Sequence, residues 1–315
     1  MVVRIKEYIK FYLMKMKVNC LDLKFLGLNE VIPVYWIPHK DGIVLIESGP
    51  GSTLTALENG LKVNGYSLEA ITDVFVTHIH LDHAGSSGAL ARHGARIHVH
   101  PNGAPHLIDP EKLITSATRI YGKDMDRLWG DFLSVPEDKL SILEDGQEIS
   151  INTLNFKALY TPGHANHHIS YLYEDICFTG DVGGSRLPGK NYISLPMPPP
   201  EFQLETWHET VDKLRKIGFR TIAPTHFGFF DDVPYHLDCL DRKLDEIDAW
   251  LVKTMSSNPD SEEFYHLFEE WTLKQYVEFN LSVDEQKIYE SVNPTWMCPA
   301  GLQRYWKKFR THENN

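Results

Sequence analysis

The chain has 315 residues, 42% of them hydrophobic, and a formal net charge of −12. That length suits one large domain with an appendage better than two equal domains. The acidic balance argues against a general nucleic-acid or anionic-membrane surface, because each phosphate contact needs a cation concentrated against the protein's own field. Cys20, Cys177, Cys239 and Cys298 are scattered with no C-x-x-C pair, which indicates neither a disulfide framework nor a cysteine zinc site and favours a reducing, cytoplasmic location.

In chain order, residues 1–19 read as an N-terminal extension. Arg4, Lys6, Lys10, Lys15 and Lys17 stand among apolar residues there, as in an added amphipathic helix or an upstream start-site extension. No apolar run is long enough for a signal-peptide core or a membrane span, so neither secretion nor a membrane partner is expected. Strand-like runs at about 20–26, 31–37 and 43–47 lead into a helix at about 53–63. The run Ile71 to Val76 is another strand, and it ends in Thr77-His78-Ile79-His80-Leu81-Asp82-His83. On an extended or tightly turning segment His78 and His80 project to one side while Asp82 and His83 come from the turn that follows, so this segment can feed two adjacent metal ions. Ala84-Gly85-Ser86 then opens a helix, and Arg96 to His100 returns to strand.

A helix-like insertion at about 107–133 carries Arg119, Tyr121, Met125, Arg127, Leu128 and Trp129, where a cap over a site could form. Short runs at about 140–143, 147–151, 154–160, 168–173 and 176–180, separated by turns such as Glu144-Asp145-Gly146 and Glu174-Asp175, read as hairpins. Three segments end an apolar run with a ligand-type residue: Thr161-Pro162-Gly163-His164, Gly180-Asp181 and Thr225-His226. A Gly- and Pro-rich loop, 183–203, follows Asp181 and is a candidate pocket wall. Beyond His226 the chain turns helical, with Leu237, Leu240, Leu244, Ile247 and Leu251 on one face of a helix over Leu237 to Thr254 and another helix pattern at about 260–281. The expected organisation is an extension at 1–19, a catalytic domain at 20–235 and a helical C-terminal region at 236–315.

The order H-x-H-x-D-H, lone His, Asp, last His resembles the metallo-β-lactamase-fold hydrolases, and all seven positions are filled here. The resemblance implies an α/β fold, an αββα sandwich with the metals at one edge between the sheets. It also implies that His78, His80 and His164 hold one metal, that Asp82, His83 and His226 hold the second, and that Asp181 bridges them. Asp82 and Asp181 are then the catalytic carboxylates, Asp82 both ligating and orienting the attacking water. Such a donor set suits two zinc ions, with iron or manganese also compatible. A bridging water between two divalent cations has its pKa lowered to roughly 7, which presents hydroxide to an electrophile without a separate nucleophile.

Glu47 stands where relatives carry Asp; it either accepts a hydrogen bond from a ligand His or is an ordinary strand-end carboxylate. His168 matches a His that follows the third-motif ligand in the family, and Asn166 and His167 replace the more usual Gly and Pro there. Arg186, with Tyr192, either reaches a substrate carboxylate or phosphate or holds loop carbonyls. The other histidines, among them His39, His93, His98, His100, His106, His208, His236, His266 and His312, are read as surface or decorative residues, and Cys177 as a small core hydrophobe. The layout resembles uncharacterised relatives of the hydroxyacylglutathione hydrolases and acyl-homoserine lactonases. The implied function is metal-dependent hydrolysis of a small-molecule ester, thioester or lactone, with oligomeric state left open. An iron-dependent, sulfur dioxygenase-like oxidoreductase and a phosphodiesterase or nuclease are the alternatives, the latter disfavoured by the acidic charge and the lack of an evident basic arm.

Overall fold

The structure, a computed structural model, describes residues 18–311; the basic segment 1–17 and His312, both discussed above, lie outside them. The chain divides into two compact units. One holds the described residues up to Tyr160 together with Ile169–Phe178, and the other holds Thr161–His168 and the described residues from Thr179 onward.

The first unit contains two sheets. The strands β1 (Asn19–Asp22), β2 (Pro33–His39), β3 (Gly42–Ile46), β4 (Ile71–Phe75), β5 (Arg96–Val99) and β6 (Leu140–Ile142) lie side by side in that order. β1 to β3 pair antiparallel and β3 to β6 pair parallel. Parallel neighbours need crossovers, and helices supply them. α1 (Leu54–Val63) joins β3 to β4; α2 (Leu81–Ala84) and α3 (Ser87–Arg92) join β4 to β5; α4 (Ala104–Ile108), α5 (Glu111–Tyr121) and α6 (Met125–Trp129) join β5 to β6. The second sheet in this unit is an antiparallel meander of β7 (Glu148–Ile151), β8 (Leu154–Tyr160), β9 (Ile169–Tyr173) and β10 (Ile176–Phe178). The β7–β8 and β9–β10 hairpins close through Asn152 (φ 54) and Glu174 (φ 53), the left-handed backbone that two-residue turns require.

Burial follows the strand chemistry. β8 alternates buried Leu154, Phe156 and Ala158 with exposed Asn155 and Lys157, as expected of a sheet with one solvated face. Val44, Leu45 and Ile46 of β3 are buried in succession, as in a strand covered on both faces. The sheets meet through aromatic side chains. Phe75 lies 4.7 Å from Phe156 and 5.0 Å from Tyr171, and Tyr35 lies 5.2 Å from Phe178, all measured between ring centroids. The Tyr171 hydroxyl donates to Val76 O at 2.8 Å, across the two sheets. Cys177, buried on β10, behaves as a core residue, and burial pushes its thiol pKa up.

The second unit holds β11 (Thr221–Ala223) and the helices α7 (Leu204–Ile217), α8 (Val233–Met255), α9 (Ser261–Glu278), α10 (Val283–Val292) and α11 (Cys298–Tyr305). The stripe Leu237, Leu240, Leu244, Ile247 and Leu251 expected from the sequence is buried along α8. Asp260 caps α9 by accepting from the backbone of Glu262 and Glu263, and Ser282 with Glu285 forms a capping box on α10. Trp207 on α7 is fully buried and donates its Nε1–H to Val182 O at 3.0 Å, which ties that helix to the turn carrying Asp181. Among the described residues no helix is long and apolar enough to cross a membrane.

Candidate metal centre

In the first unit the chain leaves β3 at Glu47, whose backbone turns left-handed (φ 68) while its N–H still bonds Phe75 O at 2.9 Å. A non-glycine residue in that region costs about 1–2 kcal/mol, and strain of this kind is held in place only where surrounding contacts over-determine it. The contacts are present. The fully buried Glu47 carboxylate accepts from Thr77 N–H at 3.1 Å, from the Thr77 hydroxyl at 2.6 Å and from His83 Nδ1 at 2.9 Å. Because Nδ1–H of His83 is spent on Glu47, its Nε2 carries the lone pair, and Asp82 Oδ2 stands 3.4 Å from that nitrogen.

The same logic fixes His78. The Thr77 hydroxyl gives its proton to Glu47, so its oxygen accepts from His78 Nδ1–H at 3.0 Å, leaving the lone pair on His78 Nε2. That nitrogen lies 2.9 Å from Nδ1 of His80, which brings the two rings to one point. Gly85 permits the approach: a Cβ there would stand 2.7 Å from Pro50 Cα and 2.9 Å from Gly51 N, which belong to the loop after Glu47. The helical insertion is anchored to the same loop by the Ser52 hydroxyl, which donates to Leu128 O at 2.6 Å. Burial, and after it the Asp82 carboxylate, raise the pKa of Tyr121 in that insertion.

In the second unit His164 donates Nδ1–H to Pro196 O at 2.8 Å, and a carbonyl partner can only accept, so Nε2 again carries the lone pair. His164 Nε2 lies 3.3 Å from Oδ2 of Asp181, and His226 Nε2 lies 3.3 Å from Oδ1 of the same carboxylate. One carboxylate therefore presents one oxygen to each imidazole. The segment around His164 is closed by Thr161, whose N–H bonds His168 O at 3.0 Å and whose hydroxyl lies 2.9 Å from His168 Nδ1. Gly163 has φ +136, and a Cβ on it would sit 2.6 Å from both Cα and Cβ of Trp207. Gly163→Ala is therefore expected to displace the adjacent His164 and weaken metal binding at least tenfold, a loss of the size that disturbed ligand orientation causes, which a chelator-competition titration reads directly.

Imidazole nitrogens with their tautomers set by acceptors behind them, together with carboxylate oxygens, form a donor set that fits divalent zinc, iron or manganese. Thr77 and Pro196 complete this arrangement and were not singled out from the sequence. Thr77 carries a local signal, since it immediately precedes the motif, whereas Pro196 contributes only a backbone carbonyl and carries none.

Arg186 and Tyr192 take structural places. Arg186 donates Nε–H to Lys190 O at 2.8 Å and grips both oxygens of Asp232 at 2.8 and 2.7 Å, so its donors are committed within the protein. Tyr192 is buried in a core cluster with Leu187, Tyr276, Leu281 and Tyr289. The reading of the remaining histidines needs correction at three positions, since His98, His100 and His236 are buried. His98 pairs with Asp73 at 2.8 Å, and burial lowers the pKa of His100.

A family model described as the metallo-β-lactamase superfamily matches residues 29–226. A metallo-β-lactamase fold-containing protein of Sulfurisphaera tokodaii is 25% identical over 204 residues, covering 63% of this chain and 74% of that protein. An atrochrysone carboxyl ACP thioesterase of Aspergillus fumigatus is 26% identical over 177 residues, covering 55% of this chain and 44% of that protein. The match therefore spans less than half of the thioesterase. The crystal structure of a metallo-β-lactamase family protein from Thermus thermophilus superposes with a TM-score of 0.67 at 19% identity over 93% of each chain, a likeness of fold.

Proposed function

This chain belongs to the metallo-β-lactamase superfamily, and from that premise we propose that it is a binuclear metal-dependent hydrolase of small esters, thioesters or lactones, with zinc the first candidate metal. In this reading His78, His80 and His164 hold one cation, Asp82, His83 and His226 hold the other, and Asp181 bridges the two. The observation that carries it is Asp181, whose two oxygens each stand 3.3 Å from Nε2 of a different histidine, His164 and His226. The lone pair that His164 Nε2 aims at this carboxylate repels it unless a cation lies between them. When bound, a pair of divalent cations lowers the pKa of water held between them and polarises a substrate carbonyl.

The chain's own residues supply the rest. Glu47 and Thr77 hold the rings of His83 and His78 in one tautomer, so no proton has to leave Nε2 when a cation arrives. Asp82, half-buried at the start of α2, accepts a hydrogen bond from the attacking water and orients it. The thioesterase among the relatives supports placing thioesters first among the three substrate classes.

The test is a hydrolysis screen of protein loaded with zinc, manganese or iron against thioesters, lactones, simple esters, phosphodiesters and β-lactams, with metal content measured on the same samples. Two metal equivalents per chain and turnover of a thioester, lactone or ester are expected. Saturation at one equivalent, with Asp82 and His83 replaceable without effect on binding, would overturn the binuclear reading. Turnover confined to phosphodiesters would overturn the substrate class.

A further inference from the structure

The segment that follows Asp181 runs between two others. Ser185 exchanges both backbone hydrogen bonds with Ser194, at 2.8 and 3.0 Å. On its other side Arg186 N–H donates to His226 O at 2.6 Å and Arg186 O accepts from Phe227 N–H at 3.2 Å. The backbone of Arg186, five positions after Asp181 in the chain, thus clasps the residue His226.

The Arg186 side chain is locked in turn. Asp232, just before α8, takes its guanidinium in a two-pronged pair, and Phe230 lies under it with the carbon of the guanidinium 4.5 Å from the ring centroid. One turn into α8, fully buried His236 donates Nε2–H to Gly183 O at 2.7 Å, and its Nδ1 faces Arg186 Nη1 at 3.4 Å. Burial holds His236 neutral, with its pKa pushed down to about 4, so that Nδ1 presents a lone pair to the guanidinium. Gly183 is two residues from Asp181. The first turn of α8 therefore touches the backbone beside both Asp181 and His226 through one guanidinium and one imidazole.

We infer that Arg186, Asp232 and His236 are positioning residues that latch Asp181 and His226 to the start of α8 and thereby set the affinity for the ion that His226 holds; the inference rests on reading those two residues as ligands. A guanidinium suits this latch because its planar fork meets both carboxylate oxygens while Nε reaches a carbonyl, a combination a lysine ammonium cannot reproduce. Partners that orient metal ligands typically contribute ten- to a hundredfold to metal affinity.

The experiment compares the full-length parent with Arg186→Lys and Asp232→Asn by chelator-competition titration with zinc and by the visible spectrum of the cobalt-substituted protein. Asp232 is partly exposed, so Asp232→Asn tests the latch where Arg186→Lys fails to fold. Arg215→Lys is the control, because Arg215 makes a comparable pair of bonds, to Asp238 and Asp241, at the surface. In both latch variants the Kd of the ion that His226 holds is expected to rise about ten- to a hundredfold, with a changed cobalt spectrum and an unchanged far-ultraviolet circular dichroism spectrum, while Arg215→Lys matches the parent. A parent with two ions and latch variants with unaltered Kd and cobalt spectrum would overturn the latch alone. A parent that binds fewer than two ions would overturn the ligand reading and the latch with it.

Discussion

Asp181→Ala is expected to cost more than a hundredfold in kcat/KM and to remove at least one of two bound metal ions, while the fold persists. The carboxylate sits 3.3 Å from each of two imidazoles, His164 and His226. Its removal would leave the two proposed cations with less compensation in a buried site, where an uncompensated charge is costly. Nothing in the apolar core of either unit depends on it, because Asp181 lies in the short 3-10 turn Gly180–Gly183 whose backbone remains pinned by Trp207 and His236. Metal content after dialysis, circular dichroism and turnover should be read on the same preparation. A variant that keeps both ions and near-normal turnover would show that Asp181 does not bridge.

Much of this arrangement was legible because it is local. The strands could be read from short apolar runs bounded by turn residues, and β8 shows why: Leu154, Phe156 and Ala158 face inward while Asn155 and Lys157 face water. The residues proposed as ligands stood out in the sequence for a related reason, since each follows a strand-like run and together they form an ordered pattern. The stripe on α8 was equally plain, because a single apolar face at helical spacing has one place to go.

What escaped the sequence depends on partners far along the chain. Arg186 was open between a substrate role and a structural one, and the choice turned on Asp232, 46 residues away, and on the carbonyl of Lys190. Tyr192 reads, together with Arg186, as a residue that could reach substrate, but its ring meets Tyr276 and Tyr289 from α9 and α10. His236 lies on the same helix as the recognised apolar stripe yet is itself fully buried, held by the carbonyl of Gly183. A buried polar side chain and an exposed one look alike in sequence; only the acceptor, here a backbone oxygen 53 residues away, separates them.

Glu47→Ala is expected to lower both stability and metal affinity, and Glu47→Gln to separate the two. Three donors converge on the carboxylate: Thr77 N–H, the Thr77 hydroxyl and His83 Nδ1–H, all buried. Stranding each costs about 1–3 kcal/mol. Alanine would also leave the left-handed backbone at this position without the contacts that hold it there. The alanine variant should therefore melt roughly 5–10 °C below the parent even without metal. Glutamine keeps the shape and one acceptor oxygen, but Oε1 accepts from both the Thr77 hydroxyl and His83 Nδ1–H while Oε2 accepts from Thr77 N–H, so the amide N–H₂ must face either that backbone N–H or the other two donors together. A backbone N–H can neither turn nor give up its proton, so the amide nitrogen takes the Oε1 place, where the hydroxyl turns and the ring moves its proton to Nε2, the nitrogen that would meet the cation. Metal-free Glu47→Gln should thus melt within a few degrees of the parent, while its Kd for the ion held by His83 rises about ten- to a hundredfold. An equal fall in metal-free melting temperature for both variants, with metal affinity preserved in glutamine, would mean that Glu47 only supports the turn after β3 and does not set the tautomer of His83.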